Sequence, residues 1–282
     1  MNRTGESPSV GKVDTMNAVE TCAICGGSGW KITEREGISG AEKCQCADVG
    51  REQRVEERAG IPLLYQKATV DNFVLPDGNP QARSQLAEAL LAVKTYVRQY
   101  PALPKPGLIF IGFPGTGKTH LAVAALRALI DRGFEGIFYD FQSLLMQIHK
   151  GYNQASGASE REAYQSALDA EILLLDDVGA HRVNDWVEDT VTSIVTHRCN
   201  NRKATIVTTN LRDDVAGHQR APERETQKQR GPEPNLETKI REDMYSKFFL
   251  EERIGMRARS RLFEMCKLIA MPDVEDYRLK KR

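Results

Sequence analysis

The sequence predicts an α/β fold: a parallel sheet with helices on both faces. Three observations predict it. Short apolar runs alternate with segments of helical apolar spacing from residue 107 onward. A glycine-rich turn, Gly112-Phe-Pro114-Gly115-Thr116-Gly117-Lys118-Thr119, stands between the first run and the first of those helices. A second apolar run, Ile172 to Leu175, ends in two carboxylates, Asp176 and Asp177.

The elements follow in order. Gln81 to Tyr100 has leucine and valine at helical spacing (Leu86, Leu90, Val93, Val97) and is broken by Pro101. Leu108-Ile-Phe-Ile111 is the first core strand, and His120 to Ile130 is an Ala/Leu-rich helix with Gly133 as its C′ residue. Gly136 to Asp140 is a strand, Phe141 to Tyr152 a helix, and Asn153 to Ser159 a loop. Glu160 to Ala170 is a helix that delivers the acidic strand. Trp186 to Asn200 is a helix by Val187, Val191, Ile194 and Val195, and Ala204 to Thr209 a strand. Residues 213–241 are almost wholly polar, with three prolines, and read as a mobile insertion. Met244 to Ser260 returns to helix, and Leu268 to Ala270 is the last strand.

The glycine-rich turn carries chemistry because of its neighbours. A strand, a turn and a helix N-terminus aim backbone N–H groups and a helix dipole at one point, which suits a polyphosphate. Gly115 and Gly117 let the backbone come close, Lys118 reaches the β- and γ-phosphates, and Thr119 holds Mg²⁺. The candidate nucleotide contacts are Gly112, Pro114, Gly115, Thr116, Gly117, Lys118, Thr119 and His120, with Asp176. Neighbouring strand residues point opposite ways, so the two carboxylates take different tasks. Asp176 joins the Mg²⁺ shell; Asp177 orients the attacking water. The plainer alternative is a pair of acids capping the next loop.

Bulk numbers exclude some classes. Lys+Arg and Asp+Glu are 39 each, so the chain is not a globally basic polyanion binder. Residues 1–20 are polar, without an apolar signal core, and read as a disordered tail. No apolar run approaches the roughly 20 residues a membrane helix needs. The expectation is a cytoplasmic protein with no membrane contact.

Four cysteines cluster as Cys22-x-x-Cys25 and Cys44-x-Cys46, followed and separated by glycine-punctuated polar sequence. Two close pairs around a short loop suit one tetrahedral Zn²⁺, and so little apolar mass needs a metal to fold. The segment between, Trp30 to Lys43, can form a hairpin. A redox Cys-x-x-Cys or four idle thiols are the alternatives; Gly26-Gly27 opposes the helix a redox motif starts with. Cys199 and Cys266 lie in apolar-periodic segments and read as packing residues. The organisation is then a tail (1–20), a zinc-binding module (21–48), a linker with N-terminal helices (49–106) and the α/β domain (107–282). Ile61 to Tyr65 reads as a short apolar anchor within the linker.

Several motifs together resemble a family. The glycine-rich loop and Asp176-Asp177 look like Walker A and B, Thr208-Thr209-Asn210 looks like sensor 1, and Glu252 to Leu262, ending in Ser260-Arg261-Leu262, resembles the arginine-finger box of initiator-type AAA+ ATPases. With the Cys-x-x-Cys-Gly-Gly and Cys-x-Cys module, Gly60-Ile-Pro and a Phe73 segment, the array resembles DnaC/DnaI-type bacterial replicative helicase loaders. The resemblance implies a P-loop AAA+ core that binds and hydrolyses ATP with Mg²⁺. It implies a hexameric replicative DNA helicase and single-stranded DNA as partners, and nucleotide-dependent homo-oligomers. Asn210 would help place the water, and Arg261 would be an arginine finger serving a neighbouring subunit. Asn210 as a turn residue and the arginines 253, 257, 259 and 261 as an exposed helix face are the plainer readings. Two departures matter: Asp177 stands where glutamate is usual, and the expected helical lid is reduced or absent, leaving Arg278 as the sensor 2 candidate. A transposition-helper ATPase and a nucleotide-gated adaptor with little turnover are the alternative functions. Phe138, Tyr139, Phe141 and Tyr152 could stack bases but read first as core.

Overall fold

A computed structural model describes residue 24 and residues 30–35, 38–44, 59–151, 158–180, 184–214, 249–274 and 276–277. The chain divides into two compact units, Met1–Gln53 and Arg54–Arg282.

In the first unit the expected hairpin is present. Strand β1 (Trp30–Arg35) pairs antiparallel with β2 (Ile38–Lys43), in a register running from Trp30 opposite Lys43 to Arg35 opposite Ile38. Lys31 and Glu42 face each other and form a 3.1 Å ion pair. Both side chains are well exposed, so the pair contributes at most about 1 kcal/mol. Cys44 follows β2 and is buried.

The second unit is three-layered. Its strands are β3 (Gly107–Ile111), β4 (Gly136–Asp140), β5 (Ile172–Asp176), β6 (Ala204–Thr209) and β7 (Cys266–Ala270). They lie in the order β4-β5-β6-β3-β7, every pairing parallel. Alternate residues of each strand serve opposite faces. Leu108, Phe110, Leu174 and Ile206 join one core with helices α1 (Pro80–Gln99) and α2 (Lys118–Asp131). Ile109, Ile111, Leu173, Leu175 and Val207 join the other with α3 (Phe141–Gly151), α4 (Ala158–Asp169), α5 (Asp185–Asn200) and α6 (Leu250–Met265). Continuous apolar strands are therefore covered on both sides, as their composition demands.

Local chemistry sets the helix ends. Asn79 caps α1 by accepting from the Ala82 N–H, with Pro80 at the first position, and Asn184 caps α5 through the Val187 N–H. Gly133, at φ 96°, is the left-handed residue beyond α2, as expected. Phe138 and Phe141 are core residues; Tyr152 lies outside the described residues.

Several expectations change in detail. Helix α6 runs to Met265, beyond Ser260, and passes into β7 without a loop. Nothing in residues 261–265 breaks a helix, so it persists until pairing with β3 captures Cys266. The apolar anchor Ile61 to Tyr65 is split. Ile61 is buried and Tyr65 packs on the core, but Leu63 and Leu64 are 85% and 82% exposed on a 3₁₀ turn, Leu63–Tyr65. Asp213, the first residue of the polar stretch, is 1% exposed and pairs with Arg259. Residues 215–248 lie outside the described residues.

A fully buried arginine joins the sheet to α4. Arg198 on α5 is 0% exposed, yet faces no carboxylate among its hydrogen-bond partners. Its guanidinium donates to the carbonyls of Ala167, Ala170 and Ala204 and to the Thr205 hydroxyl. Burial lowers its pKa to about 10, which leaves it charged at neutral pH.

Candidate functional site

The site lies at the carboxyl edge of the sheet, where β3, β5 and β6 end side by side. The strand order puts β6 between the glycine-rich strand and the acidic strand. Three chemistries that are far apart in sequence thereby become neighbours.

The glycine-rich loop has the backbone its composition allows. Gly115 and Gly117 take φ of 76° and 90°, in the left-handed region. A Cβ at Gly117 would come within 2.5 Å of the Phe73 ring, and one at Gly112 within 2.7 Å of the Met271 Cβ. Lys118 is 6% exposed and its ammonium donates to the Phe113 carbonyl at 2.7 Å. Thr116 donates to the same oxygen at 2.8 Å. The His120 Nε2 donates to the Thr69 carbonyl at 3.0 Å, and its ring meets Phe73 edge-on at 5.5 Å. The segment before α1 thus packs against the start of α2.

The two carboxylates accept from different side chains and are linked through the Thr208 hydroxyl. The Thr119 hydroxyl donates to Asp176 Oδ1 at 2.9 Å, and the Thr208 hydroxyl donates to the same oxygen at 2.6 Å. Asp177 has left the strand, with φ 56°. Its backbone N–H donates to the Thr208 hydroxyl at 2.9 Å, and its Oδ1 accepts from Asn210 Nδ2 at 2.6 Å. Thr119, Asp176, Thr208, Asp177 and Asn210 therefore form one connected set. A hydroxyl beside a carboxylate, all oxygen donors, fits a hard Mg²⁺ ion.

Burial raises the pKa of Asp176, while the Thr208 and Thr119 hydrogen bonds oppose that rise and the charges of Asp177 and Asp140 add to it. Burial also raises the pKa of Asp177; the Lys118 ammonium and the Asn210 bond oppose, and Asp140 adds. A raised carboxylate is one that gains from a nearby cation.

Two contributors were not singled out as site residues from the sequence. Thr208 bridges both aspartates, and the sequence marked it only as the first residue of the Thr208-Thr209-Asn210 motif, with no role of its own. Asp140 ends β4 directly beside Asp176 in register and also caps α3 through the Ser143 N–H. It ends an apolar strand as Asp176 does, which is a signal of the same kind.

Other expected site residues lie elsewhere. Arg261 is on α6, one turn before β7 begins beside Gly107, so it lies toward the amino edge of the sheet. The glycine-rich loop follows the carboxyl edge. A five-residue strand separates the two edges by about 16 Å. Arg261 is half exposed and pairs with Glu264 at 2.7 Å. Arg278 lies outside the described residues, but Tyr277 donates its backbone N–H to the Gly115 carbonyl at 3.3 Å. Cys22, Cys25 and Cys46 also lie outside the described residues. Cys266 is buried against the Thr205 carbonyl and packs as expected; Cys199 is partly buried.

Among the described residues no helix is long and apolar enough to cross a membrane.

The model of the IstB-like ATP binding protein family matches residues 78–215, just under half of the chain. The replicative helicase loader DnaC of Escherichia coli (strain K12) is 27% identical over 158 residues, which cover 56% of this chain and 61% of the relative. The chain thus spans about three fifths of the length of the curated loaders it matches. An uncharacterised Escherichia coli (strain K12) protein, YdaV, is 27% identical over 190 residues, 64% of this chain and 69% of that protein. Among solved structures, the crystal structure of the DnaC helicase loader superposes with a TM-score of 0.54 at 26% identity, covering 75% of this chain and 100% of that one. The DnaI structure superposes with a TM-score of 0.52 at 19% identity, covering 75% and 95%, a likeness of fold alone.

Proposed function

We propose, from the resemblance of this chain to DnaC-type AAA+ proteins in sequence and fold, that it is a Mg²⁺-dependent ATPase that loads a replicative DNA helicase. The observation that carries the reading is the linked set Thr119–Asp176–Thr208–Asp177–Asn210 beside the glycine-rich loop. In this reading the loop amides and Lys118 hold the phosphates of ATP, Thr119 and Asp176 hold Mg²⁺, and Asp177, oriented by Asn210, positions the attacking water. Arg261 acts on a neighbouring subunit, which its place toward the opposite edge of the sheet favours. Arg278 follows a backbone bonded to Gly115, which supports a place near the nucleotide. Cys22, Cys25, Cys44 and Cys46 hold one Zn²⁺, and the N-terminal zinc module docks the hexameric helicase. The ATPase domain engages single-stranded DNA in nucleotide-dependent homo-oligomers in the cytoplasm.

The test pairs capture with turnover. Purified protein, incubated with ATP and either a replicative helicase or a transposase, should retain the helicase and not the transposase, and should hydrolyse ATP. Lys118→Ala should lose ATP binding. Capture of the transposase alone would move the function to the transposition-helper class, which the IstB-like family match also accommodates. Binding of ATP without turnover would make it a nucleotide-gated adaptor.

A further inference from the structure

Helix α6 is two pieces. Gly255, at φ 79° and ψ 153°, breaks the helical backbone between Leu250–Ile254 and the stretch that carries Arg261. The break is built in: a Cβ at Gly255 would come within 2.2 Å of Glu188 Oε1. The two pieces have separate ties to the segment that follows β6. The first is bonded through its start, where the Leu250 N–H donates to the Arg212 carbonyl at 2.8 Å. The second is held by Arg259, whose Nε and Nη2 donate to the two oxygens of Asp213 at 2.6 and 2.8 Å. Asp213 is 1% exposed, and the Arg259 guanidinium also lies 5.0 Å from the centre of the Phe263 ring. A planar fork gripped at both prongs fixes direction as well as distance.

Asp213 is three residues beyond Asn210, which is bonded to Asp177. Arg259 is two residues before Arg261. Two helical residues span about 200° of rotation, so a side chain pulled inward at 259 turns the one at 261 outward. Ala258 and Leu262 are buried, Arg261 is half exposed.

From these contacts we infer that Asp213, through Arg259, is a positioning residue for Arg261: it sets the rotation of the second piece of α6 and so the finger that one subunit offers to the next. The inference deepens the proposed function and rests on Arg261 acting in trans. It gives Asp213 a role on the finger side of an interface, although it lies in sequence beside the residues of its own subunit's ATP site.

The test separates those two sides. One chain carries Asp177→Asn, with its own site disabled and its finger intact. The other carries Arg261→Ala, with its site intact and its finger removed. The mixture should recover ATP turnover. Asp213→Asn is then added to either chain in turn. Added to the finger-donating chain, it should lower the recovered turnover by about tenfold or more, the scale of a misplaced catalytic group. Added to the site-donating chain, it should change turnover by less than about twofold. Arg259→Lys, which keeps the charge and loses the fork, should repeat the asymmetry more mildly and guards against a folding defect. Equal losses on both sides would make the pair merely structural and overturn the inference, as would full turnover with Asp213→Asn in the donor. Failure of the unmodified mixture would instead overturn action in trans, and the inference with it.

Discussion

Thr208→Val removes one hydroxyl from the centre of the site and nothing else. Thr208 is 1% exposed, and valine has nearly its shape, so no cavity opens and a strand tolerates the change. What goes is polar. Asp176 Oδ1 loses a 2.6 Å donor, and the Asp177 N–H loses its 2.9 Å acceptor. A hydrogen bond to a charged group contributes about 1.5–3 kcal/mol, and an unsatisfied buried donor costs about 1–3 kcal/mol. The two share one atom, so about 3 kcal/mol is the expected total, or a fall in Tm of about 6–12 °C for a unit of this size. The loss should depend on pH. Burial raises the folded pKa of Asp176 above its unfolded value, and Thr208 partly restrains it. A raised carboxylate weakens folding at neutral pH, and that penalty fades as pH falls through the folded pKa toward the unfolded one. Without Thr208 the folded pKa rises further, so the extra penalty is full at neutral pH and shrinks in acid. Thermal unfolding without nucleotide, followed by circular dichroism at about pH 7.5 and about pH 5, reads both effects. An unchanged Tm, or a gap between variant and wild type that widens in acid, would refute the reasoning.

Asp177→Asn should keep ATP affinity within a few-fold and lose most turnover, read by equilibrium binding of a labelled nucleotide beside phosphate release; loss of both together would point to a folding role. Gly117→Ala should lower Tm and ATP affinity, since it forces a side chain into φ 90° and onto Phe73, and Phe73→Ala in the same chain should recover only the part due to the collision. Arg198→Met should cost about 3 kcal/mol or more in urea unfolding, because it strands buried carbonyls on α4 and β6, while ATP affinity of the folded fraction stays unchanged. Purified protein should carry one zinc per chain by elemental analysis, and Cys22→Ser or Cys46→Ser should release it while the ATPase domain keeps its Tm; a metal-free wild type would remove the zinc module.

Much of this protein could be read before any coordinates. The apolar strands from Leu108 and Ile172, the glycine-rich turn, the hairpin from Trp30 and the helix of Leu86 and Val93 are local or periodic features. Their physics is written in adjacent residues: β-strand burial in unbroken apolar runs, left-handed backbone in glycine, helical faces in spacing. The candidate ATP site was legible for the same reason, because Lys118 and Thr119 open the helix after the glycine-rich turn and the Asp176-Asp177 pair follows directly on an apolar strand. Strand order carries no such mark. Only the sheet, by laying β6 between β5 and β3, brings the Thr208 hydroxyl between two aspartates more than thirty positions away. Tertiary packing likewise decided that Asp213, at the head of a polar stretch, is buried under a guanidinium, and that Leu63 and Leu64 are not. It carried α6 on to Met265 and placed Arg261 toward the sheet edge opposite the glycine-rich loop. Burial of a polar group depends on which partner the fold delivers, and a partner distant in sequence leaves no local trace in the residues that receive it.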